Sequence, residues 1–78
     1  MGRAMEKTYK ELDSVEIPDA VPELDVKPGD SGVIERIYDG GRTLSVEVPK
    51  PGGTSAGFVD IDVAGDRPRV VSYSKLSD

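Results

Sequence analysis

The sequence contains no cysteine, no histidine and no tryptophan, with one phenylalanine and three tyrosines as its only aromatics. Each absence removes a class of chemistry. Without cysteine there is no disulfide framework, the usual brace of a small secreted domain, so the expected compartment is the cytoplasm. Without cysteine and histidine, zinc and transition-metal sites lose the soft and imidazole ligands they are built from. Without histidine, a serine nucleophile lacks its commonest base. No apolar run exceeds three residues, too short for a membrane-spanning helix or a secretory core, so no membrane association is expected. Positive charge is also scarce. Ten Lys and Arg stand against 15 Asp and Glu, a net charge of −5. That balance repels nucleic acid and anionic lipid on average, so nucleic acid is not the expected partner.

What is present is proline, glycine and β-branched residues in short patterned runs. Seventy-eight residues make one domain. A domain this small is marginal as a folding unit, which keeps self-association in view. Residues 1–10 mix charge with Tyr9 and carry no apolar period; they read as a flexible N-terminal arm or a short helical turn. Met5 offers a second start, so residues 1–4 are a candidate upstream extension and are left out of the fold.

Leu12 to Ile17 puts Val15 and Ile17 on one face and Glu16 on the other, a short strand stopped by Pro18. Pro18, Pro22 and Pro28 interrupt every helical window over 18–30 and make it an ordered loop, tacked down by Val21, Leu24 and Val26. Lys27-Pro28-Gly29-Asp30 has the proline-glycine centre of a type II turn. Ser31 to Tyr38 is a second strand. Its apolar positions Val33, Ile34, Ile37 and Tyr38 break alternation, which predicts a bulge or a bend that turns both faces to apolar neighbours.

Asp39-Gly40-Gly41 is a hairpin turn. Thr43 to Val48 alternates, with Leu44, Val46 and Val48 inward. Residues 49–55 are a glycine-rich loop, and Ala56 to Val63 alternates again, with Val59, Ile61 and Val63 inward and Phe58, Asp60 and Asp62 outward. Pro68 to Tyr73 is a last strand, suited to an edge because proline cannot donate to a ladder. Five short strands at this spacing, with no helical period, define an all-β chain. At this length a small barrel is favoured over a two-sheet sandwich. The barrel is expected over 11–74, with a frayed end at 75–78.

Three segments imitate catalytic or ligand motifs and fail on chemistry. Gly29-Asp30-Ser31-Gly32 has the shape of a serine-protease nucleophile segment but no base, and serves as the turn. Asp60-Ile61-Asp62-Val63-Ala64-Gly65 begins like a calcium loop, but Ala64 and Val71 stand where that loop needs oxygen ligands, and the segment alternates as a strand. Gly52-Gly53-Thr54 lacks the second half of a phosphate-binding loop. A barrel this small also has no interior room for a substrate. No catalytic, metal or cofactor site is therefore expected, and the chain is not expected to be an enzyme.

Val26-Lys27-Pro28-Gly29-Asp30-Ser31-Gly32-Val33-Ile34 resembles the opening of KOW and related SH3-like barrels, in which a glycine-x-x-glycine turn feeds a strand of alternating, inward valines. With Glu11-Leu12-Asp13-Ser14-Val15, Tyr38-Asp39-Gly40-Gly41, Val46-Glu47-Val48 and Gly52-Gly53-Thr54, residues 11–63 resemble a family of small prokaryotic proteins of this barrel type, of unknown function. The resemblance implies a five-stranded SH3-like barrel. It implies contact with RNA or transcription machinery only as an alternative, which the net charge opposes. The last strand is longer and more basic than the family layout, and the arm is additional.

The expected function is a non-catalytic interaction or adaptor module that binds another protein, or itself. It would use a sheet edge and the surface carrying Tyr38 and Phe58, the aromatics not claimed by the core pattern. The alternatives are a KOW-like nucleic-acid-binding domain, using Arg36, Arg42, Arg67 and Arg69, and an accessory subunit of an enzyme complex.

Overall fold

The computed structural model describes residues 9–76. Five antiparallel strands follow one another in a single sheet of order β1-β2-β3-β4-β5. They are β1 Ser14–Glu16, β2 Ser31–Tyr38, β3 Thr43–Pro49, β4 Ser55–Asp62 and β5 Arg69–Lys75. No α-helix occurs among the described residues, and no helix there is long and apolar enough to cross a membrane. The expected barrel differs from the strand pairing in one respect: β1 and β5 are the two edges and do not pair with each other.

Alternation places the core as expected. Leu44, Val46 and Val48 of β3 and Val59 and Ile61 of β4 are buried, and cross-strand pairing aligns Ile34, Val46, Val59 and Tyr73 in one inner row. On β2 the core residue is Ile34, fully buried. Val33, expected inward, is half-buried on the opposite face. The broken alternation of β2 resolves as a bulge: Ile34 pairs with Val46 and Arg36 with Ser45, which leaves Glu35 as the extra residue. Val63 is half-buried and packs against the core.

The 18–30 segment supplies the other side of the core. Ile17, Val21, Leu24 and Val26 are all buried against the sheet. The segment is ordered by short-range bonds: the Val21 amide donates to the Val26 carbonyl at 3.0 Å, and the Val26 amide returns to Val21 at 3.1 Å. A single 3-10 turn, Pro22–Leu24, forms inside it. Pro22 sits at the first position, where its missing N–H costs nothing, so a proline that bars a long helix still starts a short one. Gly29 has φ +93°, and the Asp30 amide closes on the Lys27 carbonyl at 3.0 Å, as the type II turn requires.

Two glycines let strands approach closely. A Cβ on Gly32 would meet Val46 Cγ1 and come within 2.8 Å of the Glu47 carbonyl, and one on Gly57 would meet the Ser74 carbonyl. At the β2–β3 hairpin Gly40 and Gly41 take positive φ, 65° and 101°, and the Arg42 amide closes on the Asp39 carbonyl at 3.3 Å, the primed-turn geometry that matches strand twist.

β5 begins at Arg69 rather than Pro68 and runs two residues beyond the expected Tyr73, with Ser74 opposite Phe58 and Lys75 opposite Gly57. Of the expected arm, Tyr9 is half-buried and packs against the core and the Lys10 amide donates to Asp13 Oδ2 at 3.3 Å, while residues 1–8 lie outside the described residues, as do 77–78.

Candidate functional site

Register and pleat sort the predicted contact residues. On the outer face, opposite the core, Tyr38, Thr43, Asp62 and Arg69 form one cross-strand row. Arg36, Ser45, Asp60 and Ser72 form the next, and Val33, Glu47, Phe58 and Ser74 a third. Arg36, Tyr38, Phe58 and Arg69 therefore share a face, because directly paired residues point the same way. Strand spacing near 4.8 Å and a rise near 3.3 Å put the Tyr38 and Phe58 backbones about 16 Å apart. The two aromatics do not form one cluster. Tyr38 is exposed and Phe58 half-buried.

Arg42 and Arg67 lie off the face, in the β2–β3 hairpin and the β4–β5 turn. Because β3 and β4 pair Thr43 with Asp62, those two turns occur at the same end of the sheet. All four arginines thus gather toward one end, but acids accompany them. Asp60 and Asp62 stand between Arg36 and Arg69 on the face, and Asp39 and Asp66 lie in the turns. Arg67 Nη1 is 3.6 Å from Asp19 Oδ1. Asp60 Oδ2 accepts the Ser72 hydroxyl at 2.7 Å, and Asp62 Oδ1 accepts the Ala64 amide at 2.8 Å. This is a mixed surface and not a basic groove. Among the described residues no three acidic side chains gather as a metal site.

The β5 edge has a different character. Val71 is 55% exposed, Tyr73 45% and Leu76 45%, apolar side chains along a strand whose outer edge has no partner strand among the described residues. β5 also carries a bulge: Asp60 pairs with Ser72 and Ile61 with Val70, so Val71 is the extra residue. The Leu76 amide donates to the Ala56 carbonyl at 3.1 Å, toward β4. Strand alternation then turns the Tyr73 and Lys75 backbone groups outward, to the edge.

The 19–26 segment runs alongside this edge. At one end the Val70 amide donates to Asp19 Oδ2 at 2.8 Å. Midway the Glu23 carboxylate lies beside the Tyr73 phenol; partial desolvation and that negative charge hold the phenol above its ordinary pKa. At the other end the Leu24 side chain reaches Gly57, the residue paired with Lys75.

Two clefts open between segment and strand. The smaller, about 410 Å³, lies between Ala20, Val21 and Glu23 and the Val70–Tyr73 stretch. The larger, about 920 Å³, lies between Glu23–Val26 and Lys75–Leu76, over Val48 and Ala56, and extends to the Pro49–Pro51 turn. The interior is filled by side chains, but the cleft forms outside it, where the loop stands off the open end of the sheet.

Sequence reasoning missed Asp19, Glu23, Asp25, Val71, Tyr73 and Leu76 as site residues. One signal existed: Glu23 and Asp25 alternate with the buried Leu24 and Val26, which turns both carboxylates away from the core. The pairing of Asp19 with Val70 joins positions 51 apart and has no local signature.

No family model matches the chain, and no curated protein or solved structure matches it.

Proposed function

We propose that this domain is a non-catalytic protein-interaction module of SH3-like layout that docks another protein along β5. The carrying observation is β5 itself, a seven-residue edge strand with Val71 and Tyr73 exposed and Leu76 exposed just beyond it. Long edges with apolar side chains recruit a further strand unless they are blunted. The SH3-like reading draws on the five-strand antiparallel order, the long proline-containing loop after β1 and the glycine-paired entry to β2. The outer face with Tyr38 and Phe58 is a secondary contact for a broad partner.

Self-association through β5 is less favourable than a different partner. Antiparallel pairing of two copies about Ser72 would set Arg69 of each opposite Lys75 of the other, a like-charge contact at both ends. A KOW-like role on nucleic acid is weakened by the acids among the four arginines, and the absence of histidine and cysteine supports the non-catalytic reading and fits a reducing compartment.

Capture of partners from native lysate on wild-type domain, V71K and the F58A/Y38A double variant tests this. Loss of captured proteins with V71K, at unchanged far-ultraviolet circular dichroism, supports β5 as the docking element. Identical captured sets on wild type and V71K overturn it. Light scattering on the same samples reports any dimer.

A further inference from the structure

The two clefts beside β5 adjoin at Glu23, which lines both, and together form a trough along the strand. The trough is stopped at the Val70 end by Asp19, whose carboxylate is already engaged by the Val70 amide and by Arg67. It is open toward Leu76. One wall is β5, uncharged from Val70 to Ser74, with Arg69 at one end and Lys75 at the other. The facing wall is the 20–25 segment, whose charges are the Glu23 carboxylate, lying against the neutral Tyr73 phenol, and the Asp25 carboxylate; Lys50 and Lys75 stand at the far rim of the larger cleft. Leu24 and Val26 are buried while Glu23 and Asp25 are exposed, so both carboxylates lie off the core. Asp25 is exposed and holds its position in a left-handed backbone turn, φ 60°. Asp30, farther along, is already bonded to the Lys27 amide at 2.9 Å.

A chain laid along β5 in this trough meets apolar side chains on the strand side and two carboxylates on the loop side. Its own middle must therefore be apolar toward Val71 and Tyr73 and cationic toward Glu23 and Asp25. We infer that the trough selects an extended segment of a partner protein with a central lysine or arginine between apolar residues, Glu23 and Asp25 supplying the counter-charge. This rests on the docking role given to β5 above and adds to it the chemistry of the occupant. The cation belongs at the centre of the segment, since Arg69 and Lys75 repel one at either end.

The test uses two fluorescein-labelled peptides, Val-Thr-Val-Lys-Val-Thr-Val and the same peptide with a central Glu, each acetylated or labelled at the N-terminus and amidated. Fluorescence anisotropy on the full chain gives the affinities. The central-Lys peptide is expected to bind about 5- to 10-fold more tightly at low salt, the size of one exposed attraction replaced by a repulsion. The preference shrinks as salt rises and disappears in the E23Q/D25N double variant. In ¹⁵N spectra the Tyr73 and Lys75 amides should shift on binding. Equal affinity for the two peptides, with those amides shifting, overturns the charge selection while leaving β5 as the docking element. No binding of either peptide at about 1 mM overturns the inference too, and if V71K also leaves the captured proteins unchanged, both readings fall.

Discussion

The Asp19 carboxylate accepts the Val70 amide at 2.8 Å and lies 3.6 Å from the Arg67 guanidinium, so a residue just after β1 holds the start of β5. β1 and β5 are the sheet's two edges, and this contact is what links them in place of a strand ladder. It also occupies a backbone donor that would otherwise be open to a neighbouring chain, a common way of blunting an edge. The rest of β5, from Val71 onward, carries no such cap from this segment.

Removing that acceptor should loosen β5 from its first residue. Asp19→Ala leaves the half-buried Val70 amide without its partner, at a cost of about 1–3 kcal/mol in urea unfolding. Asp19→Asn keeps a side-chain carbonyl and should cost less. Arg67→Ala, which removes an exposed ion pair and an exposed hydrogen bond to the Pro68 carbonyl, should change stability by less than about 1 kcal/mol. Hydrogen exchange at Val70 should quicken in Asp19→Ala and remain slow in Arg67→Ala; equal protection in all three proteins would show that the contact holds nothing.

Gly57→Ala should be among the most damaging single changes. The residue has φ +151°, and the added methyl would meet the Ser74 carbonyl across the β4–β5 ladder. Either the strands separate or the backbone shifts, so a loss of more than about 2 kcal/mol is expected. Gly40→Ala tests the alternative that any positive-φ glycine is equally sensitive. Nothing lies within 4 Å of its Cβ position, so only backbone strain of about 1 kcal/mol should appear. Equal losses at the two positions would remove packing against β5 as the reason.

The middle of the sheet was legible because two runs alternate without interruption. Thr43 to Val48 and Ala56 to Val63 each have a clear inward set, and pleat geometry leaves little choice once the core side is fixed. The bulge in β2 was legible for the complementary reason: Val33 and Ile34 cannot both face the core, and an extra residue at Glu35 resolves the conflict. An edge position for β5 was legible from Pro68, but not that β5 and β1 stay unpaired. Val70-Val71-Ser72-Tyr73 carries a bulge of its own, so its pattern gives no face, and its bond to the Asp19 carboxylate comes from 51 residues away. The site was partly legible. Alternation set Phe58 outward and left Tyr38 outside the core pattern, but it carries no information on how the 19–25 segment runs past β5.

The loop should prove as important to stability as the strands. Leu24 is 5% exposed, and its side chain reaches the close-packed Gly57 position. Leu24→Ala should cost about 2–5 kcal/mol, the range for a buried leucine truncation, comparable to Leu44→Ala at a fully buried position of β3. Chemical denaturation with both variants checks this. A cost below about 1 kcal/mol at Leu24 would mean that the segment packs too loosely to form one wall of the trough.

Tyr73 and Glu23 together predict a stability change in the alkaline range. Desolvation and the Glu23 carboxylate favour the neutral phenol, so the folded-state pKa is raised above its ordinary value. A raised pKa means that the folded state holds this proton more tightly than the unfolded state. The resulting stabilisation is complete below the unfolded value near pH 10 and is lost as pH rises through the folded value. Urea midpoints from about pH 8 to about pH 11 should therefore fall more steeply for wild type than for Tyr73→Phe, which has no proton to lose. Glu23→Gln should lower the Tyr73 phenolate midpoint, followed as the absorbance difference between each protein and its Tyr73→Phe counterpart. If Glu23→Gln leaves that midpoint unchanged, the carboxylate does not lie against the phenol, and the narrowest part of the trough is built differently from the description given above.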